Sequence, residues 1–106
     1  MLSTPASVQS ITTSGNKEDF VSMGMTAALK LKQVVESTRT VLAIEALCAA
    51  QALEFLAPLK TGRLAARAYQ AVREASPPLH GDRDISGDIA RVAGLIRSGE
   101  IRRALD

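Results

Sequence analysis

The chain has 106 residues, 46% of them apolar and 23% charged, which fits one ordinary globular domain and excludes a disordered or collagen-like polypeptide. A single Cys excludes a disulfide framework and a multi-cysteine metal site. Thirteen basic residues against eleven acidic ones leave a net charge of +2, too slight an excess to imply a nucleic-acid partner.

With two Phe, one Tyr and no Trp, the apolar content falls to Ala and Leu, which favours helix over sheet. Residues 1–17 read as a lead-in loop, because Pro5 and the run Ser10, Thr12, Thr13, Ser14, Gly15, Asn16 offer side-chain bonds that compete with helix. The first twenty residues lack the basic start and apolar core of a secretory signal, so the expected compartment is the reducing cytoplasm. Residues 18–56 hold no proline and one glycine, and their spacing predicts a long helix, broken at most once near Gly24 or Ser37-Thr38 and stopped by Pro58. A second helix is expected over 61–75 behind Thr61 as N-cap, with Leu64, Ala68 and Val72 recurring every four residues until Pro77-Pro78. A polar turn holds His80. A third helix is expected over 86–98, capped by Ser86, with Asp88 in its first turn, the stripe Ile89, Val92, Ala93, Ile96, and Gly99 as the left-handed stop. The tail 101–106 adds at most a short turn of helix.

The long segment carries the strongest constraint. As one straight helix it would span about 58 Å, against a diameter of roughly 33 Å for a compact domain of this length. Over residues 40–53 the only charge is Glu45, and Val41, Leu42, Ala43, Ile44, Ala46, Leu47, Cys48, Ala49 and Ala50 cover every side of the helix. A helix apolar all round belongs inside a bundle, and two short helices cover about half of it. The expected fold is therefore all-α: one long helix, kinked at most once, followed by two shorter ones, as a fragment of a larger helical bundle. The longest apolar region, Val41 to Leu59, contains Glu45 and Glu54, which rule it out as a membrane span.

Several residues invite a chemical reading beside a plain one. Glu18 and Asp19 stand where the polar loop meets the expected helix; they cap it, or they present an acid or base from a rigid element. Glu45 in the apolar run pairs with an arginine of a neighbouring helix or carries a raised pKa. Cys48 reads as a small core residue. His80 has no second His or Cys near it, so no metal site is expected. Arg91, Arg97, Arg102 and Arg103 read as a solvated face, since no aromatic residues interleave them.

The runs Pro5-Ala6-Ser7-Val8-Gln9-Ser10-Ile11, Thr13-Ser14-Gly15-Asn16-Lys17-Glu18-Asp19 and Val21-Ser22-Met23-Gly24 resemble the C-terminal part of the histidine ammonia-lyase family. Glu36-Ser37-Thr38-Arg39, Val41-Leu42-Ala43-Ile44-Glu45 and Ala49-Ala50-Gln51 are similar to its long core helix. Leu59-Lys60-Thr61, Asp82-Arg83, Asp88-Ile89 and Leu95-Ile96-Arg97-Ser98-Gly99 follow in the family's order. The resemblance implies non-oxidative deamination of L-histidine to trans-urocanate and ammonia, in tetramers whose active sites draw on several subunits. It implies a catalytic role for Glu18, as the acid beside the substrate's imidazole, and places Asn16 and Lys17 in the same substrate-binding loop. Glu18 also tilts the reading toward histidine, because the related phenylalanine and tyrosine lyases carry an Asp soon after Asn-Gln. Lys17 stands where the family has Gln; an ammonium only donates hydrogen bonds and adds charge. Ala52, Glu54 and Gly87 replace a usual Gly, Asp and Pro.

The family's electrophile, 4-methylidene-imidazol-5-one (MIO), forms by self-cyclisation of an internal Ala-Ser-Gly. No Ala-Ser-Gly occurs in this chain, and its one tyrosine, Tyr69, lies in the expected second helix rather than near the loop. No cofactor is therefore expected from these residues themselves, and the chain alone is expected to be inactive. The expected partners are other ammonia-lyase chains or a second copy of itself, with L-histidine bound only in a complete enzyme and neither nucleic acid nor membrane involved. The alternative is a non-enzymatic helical module that oligomerises or regulates through its apolar helix.

Overall fold

Ala- and Leu-rich segments broken by Pro and Gly make helices and little else. In the computed structural model, which describes residues 4–8 and 10–106, the elements are α1 (Gly24–Phe55), α2 (Arg63–Ala75), α3 (Ser86–Ser98) and α4 (Glu100–Leu105), preceded by a single 3-10 turn, Ala6–Val8. Residues 1–3 of the lead-in loop, and Gln9 from the run that carries the family resemblance, lie outside the described residues. No strand forms among the described residues; the nearest approach is an isolated antiparallel bridge between Thr13 and Glu18. The chain divides into two compact units between Ser37 and Thr38, inside α1, which continues unbroken through that point.

In the first unit, α1 begins at Gly24 and not at residue 18, which corrects the expected boundary. The backbone of residues 18–21 is committed elsewhere. Glu18 pairs with Thr13, and Val21 N–H donates to Ser10 Oγ at 2.9 Å. Ser22 Oγ then accepts from Gly24 N–H at 3.3 Å, and Met23 C=O accepts from Ala27 N–H at 2.9 Å, which satisfies two groups of the first turn. Glu18 and Asp19 therefore do not cap this helix.

In the second unit, Ala43 and Ala50 sit seven residues apart on one face of α1 and form a core with Val72 of α2 and Val92 of α3. Leu47, Tyr69, Ile89, Ile96 and Ile101 pack around it half-buried. The other faces of this half of α1 stay uncovered, with Val41, Leu42, Ile44 and Phe55 all exposed, Phe55 by 79%. Glu45 and Cys48 are exposed as well, which corrects the expectation of a buried acid and a core thiol. Neither belongs to the buried face of Ala43 and Ala50.

The helix ends follow local chemistry with two corrections. Gly62, rather than Thr61, is the N-cap of α2, in extended backbone and with no side-chain cap bond. At α3 the cap is supplied by Asp84, not Ser86: Asp84 Oδ1 accepts from Ser86 N–H at 2.8 Å, and Ser86 Oγ donates to Oδ2 at 2.9 Å. These two bonds hold the Asp84 carboxyl below the ordinary aspartate range. Gly99 closes α3 in the left-handed conformation at φ 76°, with its N–H shared between Leu95 and Ile96 carbonyls, and α4 starts directly after it.

Two polar clusters fix the packing of this unit. Glu54 Oε1 accepts from Tyr69 Oη at 2.9 Å and from Arg73 Nε at 2.7 Å, tying α1 to α2. Gln51 Oε1 accepts from Arg73 Nη2 and from Leu79 N–H, which anchors the connection after α2. The second cluster centres on Asp88, only 1% exposed. Its Oδ1 accepts from Arg91, and its Oδ2 forms an ion pair with the Arg83 guanidinium. Arg91 also donates to Ala75 C=O at 2.7 Å and Arg83 to Pro77 C=O at 3.0 Å, so the two cations join a buried anion to the end of α2. Arg91 is solvent-exposed, as expected, and through these two bonds also takes part in the packing.

Candidate functional site

The residues singled out from sequence, Asn16, Lys17 and Glu18, fall in one turn of the first unit. Thr13 and Glu18 close it: Thr13 N–H donates to Glu18 C=O at 2.8 Å, and Glu18 N–H to Thr13 C=O at 3.3 Å. Between them Ser14, Gly15 and Asn16 all take positive φ, at 53°, 64° and 67°. Gly15 does so freely and Asn tolerates it, whereas for Ser14 the conformation is uncommon. The two backbone bonds of the Thr13–Glu18 bridge close the turn around Ser14 and hold it in this conformation. Within the turn, Lys17 N–H donates to Ser14 C=O at 3.4 Å.

Asn16, Lys17 and Glu18 are all exposed, so their side chains are offered outward. Thr13 Oγ1 donates to Glu18 Oε2 at 3.1 Å, and Thr13 itself is half-buried. A carboxylate has about four acceptor positions, so a single hydroxyl leaves Glu18 able to receive further N–H or O–H donors. Sequence reasoning passed over Thr13. Its signal was available: Thr13 and Glu18 flank the four-residue run Ser-Gly-Asn-Lys, which is turn chemistry.

The remaining candidates do not join this turn. His80 is exposed in the bend after α2, and among the described residues no three His, Cys, Asp or Glu side chains gather as a metal-binding group. An apolar hollow of about 290 Å³ lies in the second unit, lined among others by Ile44, Leu47, Cys48, Phe55, Leu79 and Ile85. None of the three predicted site residues lines it.

The comparisons with known proteins bear on this segment as a whole. Residues 1–74 match the family described as aromatic amino acid lyase. The chain belongs to that family. Within it, the chain is 62% identical over 104 residues to a histidine ammonia-lyase of Koribacter versatilis, covering 98% of this chain and 20% of that protein. It is 51% identical over 106 residues to the histidine ammonia-lyase of Symbiobacterium thermophilum, covering 100% and 21%. Among solved structures, histidine ammonia-lyase from Trypanosoma cruzi superposes with a TM-score of 0.90 at 41% identity, over 98% of this chain and 21% of that one. A tyrosine aminomutase from Streptomyces globisporus superposes at 0.89 and 37% identity, over 95% and 19%. The chain thus spans about one fifth of the length of the lyases it matches, and its helical architecture is that of a piece of a larger helical lyase. No helix among the described residues is long and apolar enough to cross a membrane.

Proposed function

We propose that this chain contributes one wall of the active site of a histidine ammonia-lyase, which converts L-histidine to trans-urocanate and ammonia. The observation that carries the reading is the exposed, strained turn bearing Asn16, Lys17 and Glu18 within a segment 62% identical to such a lyase. The reaction breaks the Cα–N bond and removes a proton from Cβ, next to the imidazole. Glu18 accepts an N–H of that ring and sets its orientation, and Asn16 offers both a donor and an acceptor from the same turn. Lys17 adds a cation beside a substrate that sheds its amino group, and this weakens binding unless the ammonium turns to solvent.

MIO, when present, supplies the electrophile that activates the amino group as a leaving group. These 106 residues include no Ala-Ser-Gly from which it forms, so they hold and orient substrate while the group comes from polypeptide outside them. Tetrameric lyase chains, or a second copy of this one, are the partners that would cover α1; its exposed Val41, Leu42 and Phe55 support that reading.

The test is complementation. The chain is mixed with the portion of the Koribacter versatilis enzyme that lies outside the match, and urocanate absorbance is followed with L-histidine as substrate. Urocanate from the mixture and none from the chain alone is expected. Turnover by the chain alone would contradict the dependence on outside residues, and a mixture that forms a complex without turnover favours the regulatory helical module instead.

A further inference from the structure

Glu18 is held at two levels by one residue. The backbone of Thr13 forms both hydrogen bonds of the bridge, at 2.8 and 3.3 Å, and its hydroxyl donates to Glu18 Oε2 at 3.1 Å. A glutamate on an exposed turn otherwise has three freely rotating side-chain bonds and loses considerable rotamer freedom when a substrate fixes it. Thr13 is β-branched, with a stiff first side-chain torsion suited to extended backbone, so its hydroxyl is itself well placed before the carboxylate arrives. It is also half-buried, whereas Glu18 is exposed, so the donor lies on the protein side of the acid and leaves the outer side to a ligand.

We infer that Thr13 is a positioning residue for Glu18, fixing the carboxylate in the orientation in which it meets the substrate's ring nitrogen. The inference rests on the proposed lyase reading. A hydrogen bond to a charged group that orients it for reaction is worth roughly tenfold in rate, since about 1.4 kcal/mol corresponds to one decade.

The test uses a chimeric enzyme in which these 106 residues replace the matching segment of the Koribacter versatilis lyase. Thr13→Val keeps the branched shape and removes the hydroxyl; Thr13→Ser keeps the hydroxyl. Expected are a kcat about tenfold lower for Thr13→Val with KM for histidine changed less than about threefold, and near-parental turnover for Thr13→Ser. In a Glu18→Ala background, Thr13→Val should cost less than about twofold, because the group it orients is gone. Melting temperatures should stay within a few degrees throughout. Equal losses for Val and Ser, or a full Val loss persisting without Glu18, would overturn the assignment and leave Thr13 a structural residue. If Glu18→Ala alone leaves kcat and KM unchanged, or the parental chimera is inert, the lyase reading of the turn fails and the assignment falls with it.

Discussion

Replacing Asp88 by Asn tests the packing of the second unit most severely. The carboxylate is 1% exposed and faces two guanidiniums, whose side chains are 34% exposed in Arg83 and 56% in Arg91. Asn is nearly isosteric, so no cavity forms and the loss is electrostatic. The amide oxygen still accepts from one arginine, but the amide nitrogen then points a donor at the other. Breaking a buried ion pair typically costs about 3–5 kcal/mol. Here both cations keep contact with water and recover part of that through solvation, and the buried anion's own desolvation penalty disappears, so a net loss of about 2 kcal/mol is expected. Asp88 also lies in the first turn of α3, where the helix dipole adds a few tenths. With a urea dependence of about 1.5 kcal/mol per molar, the unfolding midpoint falls by roughly 1.3 M. The assay is urea unfolding followed by circular dichroism at sub-micromolar chain, with the exposed Arg102→Ala as the control. A shift below about 0.3 M, or one no larger than the control, would refute the claim that this anion organises the end of α2.

Further expectations concern other parts of the chain. Glu54→Ala removes the acceptor shared by Tyr69 and Arg73 and should destabilise by about 2 kcal/mol, with most of that loss absent in an Arg73→Ala background, read from a double-mutant unfolding cycle. Gly62→Ser should stabilise by about 0.5 kcal/mol, because the N-cap has φ −64°, no side-chain bond and nothing within 4 Å of an added Cβ; a lower melting temperature would contradict this. The Asp84 carboxyl is depressed in the folded state by its bonds to Ser86, so its contribution is present above the unfolded aspartate value of about 3.9 and is lost as pH falls through the lower folded value. An NMR titration of Asp84 should therefore show its midpoint below that of an unstructured aspartate, and a midpoint at or above it would contradict the cap. In the chimeric lyase, Lys17→Gln should lower KM for histidine, and an unchanged KM would mean that the ammonium points away from substrate.

The helices could be read from sequence because their signals are local. Pro58, Pro77-Pro78 and Gly99 punctuate the chain, and the stops they imply fall within a few residues of the observed ends of α1, α2 and α3. The start of α1 lies six residues beyond the expected one because Glu18 and Asp19 carry the acidic signal of a first helical turn, while the bonds that engage residues 18–21 come from Ser10 and Thr13, outside that window. Ser86 is a cap by residue type, yet its own N–H and hydroxyl both donate to the Asp84 carboxylate two residues earlier. Glu45 and Cys48 were expected inside because their neighbours are apolar. Burial is decided by what packs against the helix, and among the described residues of α1 only Ala43 and Ala50 are buried. The site turn was legible as a motif but not as a geometry. The left-handed run at Ser14–Asn16 and the Thr13 hydroxyl on Glu18 depend on closure of a bridge that composition does not encode.

The most direct test of the account is the turnover of the chimeric lyase with Glu18→Gln, set against its melting temperature. Glu18 is exposed and Gln keeps an amide oxygen to accept from Thr13 Oγ1, so stability should hold. Gln still offers an acceptor oxygen but lacks the charge that strengthens the bond from the ring N–H, and a hydrogen bond to a charged group is worth about 1.5–3 kcal/mol, roughly 10- to 100-fold. A drop in kcat of that size at constant melting temperature is the expected result. Urocanate released at the parental rate would contradict the assignment of this turn to the active site.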